Sequence, residues 1–138
     1  MKYFLDTNII IDLMDNKPLV MDKLKNLWQE HEVFISDIVY YEILRGFKYK
    51  EAERKLKVFH DFCKHIPVVY QSYESIVIAA ENYALLKRSG ILIEDDDILI
   101  GAVAIAHNGI LVTNNARPPA ASSQKHSTCQ GAGIGFIH

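Results

Sequence analysis

Tyr3-Phe4-Leu5-Asp6-Thr7-Asn8 is the stretch that decides the reading of this chain. Residues 2–5 are short, largely apolar and poorly alternating, as expected of a central parallel strand buried on both faces. A carboxylate follows at once, where the strand hands over to a short helix running from Thr7 to about Asp15. That junction lies at the carboxyl edge of a sheet, where open α/β folds build their sites. Taken alone, Asp6 suits the capping of that helix equally well.

Working outward, Asn16-Lys17-Pro18 stops the first helix and Pro18 opens a second, to about Glu30. Leu19, Met21, Leu24, Leu27 and Trp28 are its expected apolar side. Val33-Phe34-Ile35 reads as a second strand, and Ser36 as the cap of a helix from Asp37 to about Phe47. Ala52, Leu56, Phe59 and Cys63 recur at helical spacing and predict a helix over 51–65. Ile66-Pro67-Val68-Val69 is a short strand with proline at its start. A long helix over 72–89 ends at Gly90, and another over 95–107 at Asn108-Gly109. Ile110-Leu111-Val112-Thr113 is a strongly apolar strand. Strands alternating with helices imply βαβ units, and so an α/β fold built on an open parallel sheet with helices on both faces.

A chain of 138 residues makes one domain that buries about two-thirds of its unfolded surface. With 49% hydrophobic and 23% charged residues it has an ordinary globular composition. The net charge of −2 argues against coating nucleic acid by bulk electrostatics, though a carboxylate site adds negative charge that a bound cation offsets. Cys63 and Cys129 form no metal motif and no disulfide framework, and Cys63 reads as a small buried thiol. The opening residues lack the apolar core of a signal peptide, and no apolar run approaches the ~20 residues of a membrane span. The expected location is cytoplasmic.

Two further acids occupy places comparable to that of Asp6. Glu42 shares a helix face with Val39, Ile43 and Gly46, so it needs a partner or a cation. Arg45 and Arg88 are the alternative partners. Glu94-Asp95-Asp96-Asp97 precedes an Ile/Ala-rich helix. Acids favour a first turn, but four in succession exceed what capping needs and repel one another without a cation. Asp97, next to the apolar stripe, is expected to point inward, and Asp95 to serve as the cap. Asp6, Glu42 and Asp97 converging on one sheet edge would suit a divalent cation held by oxygens, the equipment of phosphodiester hydrolysis. Asn8 and Asp12 read as helix-face polar groups, and Asn114-Asn115 as turn residues or as hydrogen-bonding members of the site. The stretch from Arg45 to Lys64 is rich in Lys and Arg, fitting a phosphate-facing surface or an ordinary solvated face. His60, His65 and His107 lack matched ligand spacing and read as structural.

Taken in order, strand-Asp-Thr-Asn, Ser-x5-Glu-Ile-x2-Gly, Asp-Ile-Leu-Ile-x-Ala-x-Ala and Val-Thr-Asn-Asn resemble a PIN domain, most closely the VapC-type toxins of toxin–antitoxin pairs. The resemblance covers about residues 1–117. It implies a five-stranded parallel sheet and a Mg²⁺- or Mn²⁺-dependent endoribonuclease. It places the family's acids on Asp6, Glu42 and Asp97, which are both the catalytic and the metal-holding candidates. The more variable fourth polar position falls on Asn115, with Thr7, Asn8 and Asp95 as auxiliary candidates and Arg45, Lys48 and Lys50 as candidate RNA contacts. It further implies a homodimer and a cognate antitoxin as partners.

After Arg117 the sequence departs from the family, running into Pro118-Pro119-Ala120-Ala121-Ser122-Ser123. The expected division is a PIN domain over 1–117 and an atypical tail over 118–138, in which Ile134–Ile137 could add an edge strand. The tail leaves open a second reading, a catalytically impaired PIN fold that only binds a partner. A receiver-like phosphoacceptor domain is the third, but it expects paired acids after the first strand and a lysine after a late one, where this chain has Asp6 alone and Asn114-Asn115.

Overall fold

Apolar side chains on both faces of the strands require helices on both sides, and the fold meets that demand by reversing its direction of winding once. In the computed structural model, which describes residues 1–114 and the backbone of 133–136, the elements follow in the order expected. β1 (Lys2–Leu5), α1 (Thr7–Met14), α2 (Pro18–Glu30), β2 (Glu32–Ser36), α3 (Asp37–Tyr49), α4 (Glu53–Cys63) and β3 (Val68–Val69) come first. α5 (Tyr73–Arg88), α6 (Asp95–Ala106), β4 (Ile110–Thr113) and β5 (Gly133–Phe136) complete the described chain. The strand order is β3-β2-β1-β4-β5, and every pairing is parallel. The chain winds outward from β1 to β3, then crosses back to lay β4 against the other side of β1. That reversal is a topological switch point, with the crevice beyond the carboxyl ends of β1 and β4.

Strand alternation divides the core. Leu5, Val33, Ile35 and Val112 face a cluster completed by Ile9 and Ile10 of α1, Leu24 of α2, Val39 and Ile43 of α3, and Phe59 of α4. Phe4, with Phe34 and Leu111, turns the other way and packs on Val103 and Ala104 of α6. α5 lies outside α6, contributing Ala79 and Leu86 against Ile98 and Ala102. Fully burying aliphatic side chains of this size stabilises by about 1.5–3 kcal/mol each, so this two-sided packing dominates the energetics.

Several local expectations need correction. In α2 the buried positions are Val20 and Leu24, while Leu19 is 73% exposed and Met21 and Trp28 lie at the surface. α2 meets the core by a narrower stripe than its apolar residues suggested. α4 starts at Glu53 instead of residue 51, because Glu51 adopts φ +51 and turns the chain sharply after α3. β3 is only Val68–Val69; Ile66 is wholly buried but outside the strand. Cys63 is half-buried and a free thiol, its pKa pushed up to about 11 by burial. The edge strand expected at 134–137 is present at Gly133–Phe136. None of the helices searched among the described residues is long and apolar enough to cross a membrane.

The turn before β4 explains two residues. Asn108 takes φ +53, a left-handed conformation that asparagine tolerates. A Cβ on Gly109 would stand 2.7 Å from the Phe4 ring and 3.1 Å from the Lys2 carbonyl oxygen. Gly109→Ala is therefore expected to destabilise by about 1–3 kcal/mol, read as a lower melting temperature. A stability equal to that of the parent would show that Phe4 can move aside. Truncation after Arg117 removes β5 and bares the edge of β4. Loss of so short an outer strand should lower the melting temperature only modestly while promoting association in a solution-mass measurement. Collapse of the fold would instead make β5 indispensable.

Candidate functional site

Asp6 ends β1 and caps α1 in a single residue. Its N–H donates to the Val112 carbonyl at 3.0 Å, and its side chain accepts from the Thr7 N–H at 2.8 Å. The carboxylate is 1% exposed. Both roles considered for Asp6 are thus compatible: it is the cap, and it is a buried acid at the switch point. Thr7 then faces α3, where its hydroxyl donates to Glu42 Oε2 at 2.9 Å. Burial pushes the Glu42 carboxyl above the usual range; the Thr7 hydrogen bond opposes this, Asp96 raises it further, and Arg45 counters weakly.

The α6 terminus comes to the same edge because α6 runs down the sheet into β4, so its start lies above the end of that strand. Asp96 and Asp97 are both half-buried there, whereas Glu94 and Asp95 are exposed. Asp96 is the residue that sequence reasoning missed: it lies 3.7 Å from the Arg45 guanidinium and acts electrostatically on Glu42. The run of four acids signalled this region, but which member meets α3 depends on how two helices pack. Asp95 is not the cap; Glu94 takes that position, and Asp95 lies in the first turn.

A polar net supports the other side of the crevice. Asn8 Nδ2 donates to Thr113 Oγ1 at 3.3 Å, and the Asn114 N–H reaches Asn8 Oδ1. Asp12 accepts from Lys17 Nζ at 2.8 Å and from Asn114 Nδ2. Asn8 and Asp12 thus tie α1 to the end of β4, and Asn114 belongs to the same net. Asn115 lies outside the described residues. The candidate RNA contacts Arg45, Lys48 and Lys50 are all exposed, the first two on the second half of α3 and Lys50 just beyond it. Arg45 pairs with the acids and Arg88 ends α5. His60 and His65 lie on the surface, and His107 packs beside Phe4 with ring centroids 5.8 Å apart, a structural role.

Among the described residues, no group of three His, Cys, Asp or Glu side chains closes into a ready metal cage. Mg²⁺ does not need one, since it is commonly held by one or two carboxylates while keeping several waters. A Glu42 carboxyl raised by burial and by Asp96 is a charge arrangement that a cation would relieve, so the donors fit a hard divalent ion.

The raised pKa has a consequence for stability. The folded protein binds the Glu42 proton more tightly than the unfolded chain, so the ionised carboxylate costs stability. That cost develops as pH rises through the ordinary Glu range up to the raised value. Glu42→Gln is accordingly expected to raise the melting temperature of the metal-free protein at about pH 8, with the gain fading towards about pH 4. A variant no more stable than its parent at the higher pH would contradict the crowding of Glu42.

Comparison with known proteins agrees with this architecture. The PIN domain family profile matches residues 3–122. Ribonuclease VapC1 of Haemophilus influenzae strain R2866 is 31% identical over 120 residues, covering 85% of this chain and 89% of its own. The tRNA(fMet)-specific endonuclease VapC of Shigella flexneri is 31% identical over 118 residues, with the same coverage. The structure of VapBC-1 from nontypeable Haemophilus influenzae superposes with a TM-score of 0.74 at 29% identity, over 83% of this chain and 87% of that one. VapBC2 from Rickettsia felis, bound to a promoter DNA fragment, gives a TM-score of 0.83 over the whole of both chains; at 24% identity it supports the fold. With its acids at the switch point of a parallel five-stranded sheet, this chain belongs to the PIN domain family, in its VapC branch.

Proposed function

We propose that this protein is a divalent-metal-dependent endoribonuclease, the toxin of a type II toxin–antitoxin pair, with Asp6, Glu42 and Asp97 as its catalytic and metal-holding acids. The observation that carries the reading is the Thr7–Glu42 hydrogen bond, which links the cap of α1 to α3 beside the acidic start of α6. It rests also on similarity to relatives named as VapC ribonucleases. A bound Mg²⁺ or Mn²⁺ would supply charge stabilisation and a water made more acidic for attack on phosphorus.

The chain's own residues do the rest. Asp6, fixed by its backbone in both a strand and a helix, presents a carboxylate that cannot drift. Thr7 orients Glu42 by occupying one of its oxygens, leaving the other for a cation or its water. Asp97 adds a further carboxylate at the helix terminus, with Asp95 two residues earlier and more exposed. Asn8 holds the end of β4 in place, and Asn115, at the family's variable polar position, is a further auxiliary candidate. Arg45, Lys48 and Lys50 offer cations to the phosphates on either side of the scissile bond, a contact worth a measurable salt dependence.

The partners of this reading are an RNA substrate, a cognate antitoxin and a second copy of the chain. The antitoxin is inferred from the VapBC complexes of similar fold.

Asp6→Asn and Asp97→Asn should each abolish Mg²⁺-dependent cleavage of single-stranded RNA while leaving the fold intact, and EDTA should silence the parent protein. Removing one charge weakens cation affinity and relieves carboxylate repulsion. Cleavage retained by either variant with metal present would refute its assignment. Absence of cleavage by the well-folded parent would favour a binding-only PIN fold.

A further inference from the structure

Arg45 stands where a mobile positive charge would matter. It lies one turn beyond Glu42 and Tyr41 on α3, so all three side chains emerge within reach of one another. Its guanidinium is 3.7 Å from Asp96 and acts electrostatically on Glu42. It also lies over the Tyr41 ring, 5.2 Å from the centroid, and interacts with the Tyr41 hydroxyl. Arg45 and Asp96 are 54% and 40% exposed, so their pair is weak and readily exchanged. In one position the guanidinium therefore meets both the acids, which it neutralises, and an aromatic face that does not depend on them.

We propose that Arg45 is an internal counter-cation of the Glu42–Asp96 pair, displaced by the divalent ion and thereby released, still resting on Tyr41, to hold an RNA phosphate. The inference deepens the proposed ribonuclease reading and rests on it. In the metal-free protein Arg45 limits repulsion between Glu42 and Asp96. A divalent cation at the acids makes that neutralisation redundant and repels the guanidinium. Tyr41 keeps the freed side chain from dispersing into solvent, and the planar guanidinium fork suits a phosphate oxygen pair. Arg45 is thus a positioning residue that couples cation binding to substrate binding.

The test is titration of the full-length protein with Mn²⁺ alone, following free Mn²⁺ by electron paramagnetic resonance. Arg45→Gln should bind Mn²⁺ about two- to fivefold more tightly than the parent, the range set by the loss of one exposed competing charge. Arg45→Lys, which keeps the charge, should bind about as the parent does. Tyr41→Leu, which removes a contact present before and after displacement, should bind Mn²⁺ about as the parent does while its KM for RNA rises. In cleavage assays Arg45→Gln should reach half-maximal rate at lower Mn²⁺ while its KM for RNA rises. Equal or weaker Mn²⁺ binding by Arg45→Gln overturns the inference, even if the parent cleaves RNA and the functional reading stands. A Tyr41→Leu KM for RNA equal to that of the parent overturns the release step. No Mn²⁺ binding by the parent or by Arg45→Gln overturns both readings together.

Discussion

Where β1 becomes α1, the backbone of Asp6 serves two structures at once. Its N–H closes onto the Val112 carbonyl of β4, and its carbonyl accepts from Ile9 and Ile10 as the first turn of α1 forms. No linker residue intervenes, so the helix axis, the strand axis and the carboxylate are set by one residue's dihedrals, φ −75 and ψ 162. Thr7 is thereby aimed at α3, and Asn8 at the end of β4. A displacement of this junction would alter the strand ladder, the helix start and the hydrogen bond to Glu42 together.

Around that fixed point the structure collects negative charge in a region that excludes much of the solvent. Such crowding opposes folding unless something compensates, and compensation here is graded. Thr7 donates a neutral hydrogen bond from within the core side, and Arg45 adds a partly exposed positive charge from α3. Neither fully offsets the burial of Glu42, whose carboxyl remains raised. Residual electrostatic frustration of this kind is the usual mark of a site built for a ligand that the bare polypeptide lacks.

The remainder of the fold isolates the site from ordinary stability requirements. α1 to α4 cover one face of the sheet and α6 the other, so the apolar clusters under Leu5 and Phe4 do not rely on the acids. The basic side chains between Arg45 and Lys64 project from the surface and are partly spent on ion pairs such as Lys55–Asp15 and Lys64–Asp61. Those pairs are exposed and individually weak. Arg45, on the second half of α3, is instead turned to the acids, 3.7 Å from Asp96.

Local chemistry settled much of this in advance. A buried run ending in Asp, Ser36 as a cap, Gly90 at φ +74 and an apolar strand at 110–113 act through neighbours in sequence, so element order and the parallel α/β class were legible. The candidacy of Asp6 and Glu42 was legible for the same reason, since strand ends and helix faces are local properties. What depends on packing was not. That Val20 is buried while Leu19 is exposed, and that Asp96 comes up to Arg45 beside Glu42, both follow from how helices distant in sequence rotate against one another. A helical position changes direction by a full side chain for each residue, and within a run of four acids no local rule selects one. Sequence determined which residues could form the site; only the crossing of α3 with α6 over the β1–β4 junction decided which of them touch.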